Sequence, residues 1–293
     1  MRSCILTVDV EEWFQVENLK SAISCDNWET LKSSVALNID HILELFLKHN
    51  VQATFFILGW VAERNPLMIK RIFDNGHEIA SHGYGHKISG SLQNGLLRED
   101  IQKSKHILED LTGIPITGYR APNFSVNDEV IDIIKDLGFT YDSSYNPFQM
   151  HSRYGHFDRY TIRDSNIFNL GNGLFEIPIA SYKFGRFHIP IGGGAYFRIF
   201  PYVLFKYLAL AKGRRDGLYN FYTHPWEFEP DQPRINDISF NHRLRHYTGL
   251  KKTANRLEKL IAVFKQKDFK FITMQEYVKA EIKIRQAVSS SEQ

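Results

Sequence analysis

The segment SCILTVDVEEWF, residues 3–14, passes from a run of β-branched and apolar side chains straight into three acids. Residues 3–10 read as a strand on that composition. Side chains alternate along a strand, so Asp9 and Glu11 point to one side and Glu12 to the other. Taken alone, such acids are a solvated strand end. Their meaning depends on what other strand ends bring near them.

Further short β-rich runs follow at VQATFFI (51–57), HEIAS (77–81), ITGYR (116–120), FTYDS (139–143), LFEIPIA (174–180), LYNFYT (218–223) and FKFIT (269–273). Helical stretches lie between them. Val35, Ile39, Ile42 and Phe46 fall at helical spacing within residues 31–49. Asn65 and Pro66 open a helix that Gly76 ends, and Thr273 with Glu276 makes a capping box for the last one. Residues 96–111, 127–137, about 201–212 and about 249–264 supply the others. Strand-then-helix alternation without a Pro/Gly/Ser-rich linker predicts an α/β fold, a single barrel-like domain over residues 1–287. Residues 288–293 read as a polar, disordered tail. Residues 146–172 lack periodicity, as an insertion near a barrel's site does.

Composition narrows the classes. With 43% hydrophobic and 24% charged residues in 293, the chain has the make-up of a globular protein. A formal net charge of +3 and no basic–aromatic run exclude a nucleic-acid groove as the leading reading. No segment matches a signal peptide or a spanning helix, so a cytoplasmic location is expected. Cys4 and Cys25 form no redox or metal spacing and read as free thiols.

Barrel chemistry sits where strands end. At the expected strand ends stand Asp9 and Glu11, the SHGYGH segment (81–86) with His82 and His86, then Arg120, Asp142 and His224. Two imidazoles and one carboxylate make three protein ligands and leave a position for water, the make-up of an open catalytic zinc site. A second carboxylate can act as general base, and a histidine opposite can protonate a leaving group. Arg120 can keep the base ionised, and Asp142 can orient a histidine. Each residue alone has a plainer reading, as surface ion pair, turn or cap. Their succession at strand ends carries the argument.

In that order, TVDVEEWFQV, SHGYGH, YRAPNFS, YDSS and YTHPWEF resemble the polysaccharide deacetylase family, the NodB-homology carbohydrate esterases. The resemblance leans to the branch of exopolysaccharide (exosortase-associated) loci, whose C-terminal extension HRLRHYTGLKKTANRLEKLI resembles, and it spans nearly the whole chain. It implies a distorted (β/α) barrel of seven or eight units, completed by residues of about 235–287, and a divalent metal, most often zinc, with cobalt, nickel or manganese as substitutes. It also implies Asp9 as base, Glu11, His82 and His86 as ligands, Arg120 contacting the base, and His224 as acid partnered by Asp142. The family's usual metal carboxylate is aspartate; Glu11 is a methylene longer, and YDSSYNP matches the fourth motif only loosely. The implied reaction is hydrolysis of N-acetyl groups on a glycan or glycan precursor. Deformylation of a lipid-linked sugar, opening of a small cyclic amide, and a catalytically silent glycan-binding barrel are the alternatives. Asp9 with His224 speaks against the last, since a binder needs neither base nor acid.

Other segments complete the expectations. PIGGGAYFRIFP (190–201) lacks the Gly-Lys-Ser/Thr ending of a phosphate loop and reads as a tight loop lining the cleft, with Tyr196 and Arg198 against sugar. Trp13, Tyr84, Pro122, Asn123 and Trp226 are further candidates for sugar contact. YVLFKYLALAKGRR (202–215) reads as a barrel helix with a basic end, and peripheral contact with a membrane is its second reading.

Overall fold

The protein, described here as a computed structural model, is defined at residues 2–88, 94–148, 155, 157–160 and 165–291. β1 (Arg2–Val10) is buried at every position after the first, as a parallel strand covered on both faces must be. It is flanked by β2 (Thr54–Ile57) and, further round, β3 (Glu78–Ser81), β4 (Gly118–Tyr119) and β5 (Tyr141–Asp142), all parallel. β6 (Phe168–Gly171) pairs antiparallel with β7 (Leu174–Glu176), and β7 continues the parallel sheet beside β5. β8 (Ser181–Phe184) and β9 (Phe187–Pro190) form a separate hairpin. β10 (Leu218–Thr223) lies on the other side of β1, and β11 (Phe269–Phe271) pairs with the start of β1. The order is thus β10-β1-β2-β3-β4-β5-β7-β6, a mostly parallel, distorted α/β barrel.

Ten α-helices are described. α1 (Val35–Lys48), α2 (Gly59–Arg64), α3 (Pro66–Asp74), α4 (Asn94–Thr112) and α5 (Asp128–Asp136) belong to the first half. α6 (Gly194–Ile199), α7 (Tyr202–Asp216), α8 (Phe240–Tyr247), α9 (Thr253–Gln266) and α10 (Met274–Ser291) follow. Alternation along β1 divides the core. Cys4, Leu6, Val8 and Val10 pack outward with Ile39 and Phe46 of α1, Ile69 of α3 and Phe205 of α7. Ile5 turns inward with Phe56, Ala80, Tyr141 and Phe175, closed from below by Met274 and Val278 of α10. Inward positions further along β1 are Thr7 and Asp9, so the barrel interior changes from apolar to polar toward the strands' C-terminal ends.

Several local features follow the expected chemistry. Asn127 caps α5 by accepting the Val130 N–H, and Thr273 with Glu276 forms the capping box of α10. Asn65 makes no side-chain cap; its Nδ2 donates instead to Val61 O, because α2 runs directly into α3. α10 extends to Ser291, so a helix replaces the expected disordered tail up to that residue, and residues 292–293 lie outside those described. Part of the irregular stretch 146–172 also lies outside them.

Between β7 and β10 the described residues make no strand ladder. The chain crossing that side is tied to β10 by Asn220 Nδ2 donating to Pro178 O (2.7 Å), Tyr219 Oη to Ile191 O (2.7 Å) and Tyr222 N to Gly192 O (2.7 Å). The glycines of PIGGGAY exist for this contact. Gly193 has φ +132°, and a Cβ there would sit 1.9 Å from Tyr222 O. Gly193→Ala is expected to lower stability by about 2–4 kcal/mol, from strain plus overpacking. The reading is a lower urea midpoint at unchanged slope.

Candidate metal centre and active site

The polar end of the barrel is organised by Arg120, which follows β4 and is almost wholly buried. Its Nη1 donates to Asp9 Oδ1 (2.6 Å) and Thr7 Oγ1 (2.8 Å) on β1. Nε donates to Ser143 O (2.9 Å) and Nη2 to Ser143 Oγ (3.0 Å) beyond β5. The guanidinium lies 4.1 Å over the Phe56 ring. A buried cation must be paired and hydrogen-bonded, and here it is. The Arg120 carbonyl accepts from His82 Nδ1 (2.8 Å). With that nitrogen carrying the proton, the Nε2 lone pair of His82 is left for a ligand.

Glu11, His82 and His86 place one ligating atom each within 4.8 Å of one another. His86 Nε2 is 2.7 Å from Glu11 Oε2, and Trp226 Nε1 donates to Glu11 Oε1 at 3.1 Å. Burial raises the Glu11 carboxyl, but the imidazoles of His86, His224 and His82 outweigh it and hold it down to about 2. Burial holds His82 down to about 4, hence neutral. Neutral imidazoles and an ionised carboxylate are what a divalent cation such as zinc requires, so the donor set fits one. Glu12 turns away, with Oε2 accepting Ser34 N–H.

SHGYGH is a loop, not a helix. Gly83 has φ +74° and His86 φ +51°, which swings the second imidazole back beside the first. Asp100, from α4, accepts the N–H groups of Tyr84 (2.7 Å) and Gly85 (3.0 Å) and fixes that shape. No motif marked Asp100; only the fold brings it there.

His224 follows β10 and faces the cluster. Its Nε2 lies 3.9 Å from Asp9 Oδ2 and 3.7 Å from Glu11 Oε1. Its acidic partner is Glu227, not Asp142: His224 Nδ1 is 2.6 Å from Glu227 Oε1. Glu227 Oε1 also accepts the His224 backbone N–H at 3.2 Å, the geometry of a helix start with Pro225 at its first position. HPWE carried that signal in sequence. Burial pulls His224 down, but the Glu227 hydrogen bond with the charges of Glu11, Glu227 and Asp9 raises it above 6.5. Burial raises Glu227, and Arg198 and His224 together bring it below 4.5. Asp142 lies in β5 opposite Glu176 of β7, with Oδ1 accepting from Ser144 Oγ (2.5 Å). Burial raises Asp142, and burial with Asp142 beside it pushes Glu176 well above the carboxylate range.

The cavity over the cluster, about 70 Å³, is lined by Asp9, Glu11, His82, His86, Asn123 and His224 among others. Asn123 has φ +56°, and its Nδ2 has no partner among the described residues. The other expected sugar contacts take the following places. Arg198 lines the cavity but is 2% exposed, and its Nε goes to Glu227 Oε2 (2.6 Å), so it holds Glu227. Trp226 also lines the cavity, largely buried, bonded to Glu11 and stacked between His224 and His246. Trp13 packs against Phe14 and donates to Lys32 O. Tyr84 Oη donates to Glu63 Oε2, Pro122 is buried, and Tyr196 packs edge-on to Phe148; none of the three lines the cavity.

Comparison with known proteins agrees with this geometry. Residues 29–141 match the polysaccharide deacetylase family, and residues 143–279 match a family described as a domain of unknown function, DUF3473. The chain therefore carries a polysaccharide deacetylase domain. It is 33% identical over 108 residues to a peptidoglycan deacetylase of Helicobacter pylori, covering 37% of this chain and 37% of that protein. It is 31% identical over 98 residues to a peptidoglycan-N-acetylglucosamine deacetylase of Bacillus cereus, covering 33% of this chain and 46% of that protein. The matched stretches thus span less than half of these relatives. In three dimensions it is similar to a candidate polysaccharide deacetylase of Mycobacterium smegmatis, with TM-score 0.59 and 21% identity over 95% of this chain and 90% of the other.

Replacing Trp226 by phenylalanine keeps the stack and removes the N–H on Glu11. Zinc affinity is expected to fall about 10–100-fold, as it does when the groups orienting a ligand are lost. Calorimetric titration of the protein with zinc reads it.

Proposed function

We propose that this protein is a divalent-metal-dependent hydrolase that removes N-acetyl groups from amino sugars of a bacterial polysaccharide or glycan precursor, the metal being zinc. The observation that carries the reading is the Glu11, His82 and His86 cluster with a buried carboxylate, Asp9, and a histidine, His224, beside it. The names of the similar proteins, deacetylases of peptidoglycan N-acetylglucosamine, support the substrate class.

Glu11, His82 and His86 would hold the cation, which when bound supplies Lewis acidity to the acyl oxygen and acidifies water. Asp9 is the base. It takes the proton of the attacking water as the oxygen reaches the acyl carbon, and Arg120 keeps it aimed. His224 is the acid. It gives its Nε2 proton to the departing amine, while Glu227 holds its Nδ1 and Arg198 holds Glu227. Bond cleavage yields acetate and a free amino sugar. Asn123, whose Nδ2 has no partner among the described residues, offers a donor to substrate entering the cavity.

Acetate release from N-acetylglucosamine oligosaccharides should vanish with a chelator and return with zinc. Asp9→Asn should retain zinc and lose turnover by about 100-fold or more. Activity indifferent to chelation would sink the proposal, and loss of zinc from Asp9→Asn would make Asp9 a ligand.

The pH profile tests the acid. His224 is raised above 6.5, so the imidazolium persists past that pH and activity falls as pH climbs through the raised value. In Glu227→Gln the raising charge is gone while burial remains, so the alkaline limb should move to lower pH. An unmoved limb would remove His224 from the role.

A further inference from the structure

The unladdered side of the barrel opens into a cleft of about 730 Å³, larger than the metal site and apart from it. Leu218 and Asn220, near the start of β10, form its floor, whereas His224 follows that strand's end. At the usual rise per strand residue the two sites are roughly 13–20 Å apart along β10. Among the described residues, the cleft walls carry Lys183, Arg186, Lys212 and Arg215 against one carboxylate, Asp216. Asp216 is already engaged by Lys212 Nζ (2.5 Å) and Arg215 Nε (2.6 Å), so the cleft is strongly cationic.

Beside it projects the β8–β9 hairpin, whose turn reads KFGRF (183–187). Phe184 is 70% exposed and Phe187 61% exposed, each next to a cation of the cleft wall. β8 packs against α7, and the Arg215 guanidinium lies 5.5 Å from the Tyr182 ring, so hairpin and helix end form one surface. α7 adds exposed Arg214 there. Two protruding aromatics bracketed by lysine and arginine match an interface that is apolar just below an anionic layer. Neither half suffices alone. Exposed phenylalanines would suit many partners, and the cations select one whose surface is negatively charged.

We infer that the hairpin tip and the adjoining cationic cleft dock this protein on an anionic phospholipid bilayer, with Phe184 and Phe187 entering the headgroup region and the cleft taking lipid phosphates. The metal site, at the other end of β10, stays clear of the contact.

Sedimentation of the whole protein with vesicles tests this independently of catalysis. The protein should bind vesicles of equal parts phosphatidylglycerol and phosphatidylcholine, should bind phosphatidylcholine alone at least tenfold more weakly, and should be released by salt. Phe184→Ser/Phe187→Ser and Lys183→Glu/Arg186→Glu should each reduce binding about tenfold or more while leaving the circular dichroism spectrum unchanged. Failure of the unaltered protein to bind anionic vesicles would overturn the inference, as would unchanged binding by both variants. Self-association lost in the phenylalanine variant, without vesicle binding, would assign the patch to a second copy of the chain and overturn it equally.

Discussion

A guanidinium shut away from water inside the barrel sets the terms for everything above it. Burying Arg120 there requires a carboxylate and a full set of acceptors, and they come from two strand ends: Asp9 and Thr7 from β1, and Ser143 beyond β5. Its own carbonyl fixes the tautomer of His82 from the end of β3. One residue therefore ties together Asp9 and the first imidazole of the candidate metal cluster. The hydrogen bonds that neutralise the buried charge are the ones that aim the reacting groups.

The site is shared between regions that match different families. Residues 29–141 contribute His82, His86 and Arg120, while His224, Trp226, Glu227 and Arg198 lie within 143–279. Asp9 and Glu11 precede both. The second region thus supplies the imidazole facing Asp9 and the indole bonded to Glu11, so it helps build the candidate site rather than flanking it. A buried chain of charges, Arg198 to Glu227 to His224, keeps that half of the site in place. Its inner members are screened from water, so their mutual attraction is worth more than at a surface.

Much of the architecture was legible because it rests on local pattern. Alternation along β1 separates Asp9 and Glu11 from Glu12, and β–α periodicity marks the strands whose ends meet. The surroundings of Trp226, Arg198 and Trp13 show the limit of such reading, since aromatics and arginines near a site can face sugar or support a neighbour. Whether such a side chain faces the cavity or supports a neighbour depends on burial, and burial is a property of the packed whole. Asp142 and Glu227 differ in this: both are acids near strand ends, but the local HPWE turn after β10 already places Glu227, not Asp142, against His224.

By itself the sequence determined the alternating fold, the inventory of two carboxylates and three imidazoles at strand ends, and the order in which strands present them. Those are consequences of side-chain periodicity and residue chemistry, which need no long-range information. Tertiary structure alone decided that Asp100 shapes the histidine loop, that Trp226 grips Glu11, and that a cationic cleft opens beside exposed phenylalanines. Each joins residues whose separation in the chain, or whose competition with equally plausible neighbours, is resolved only when the barrel is built and its unladdered side is left open.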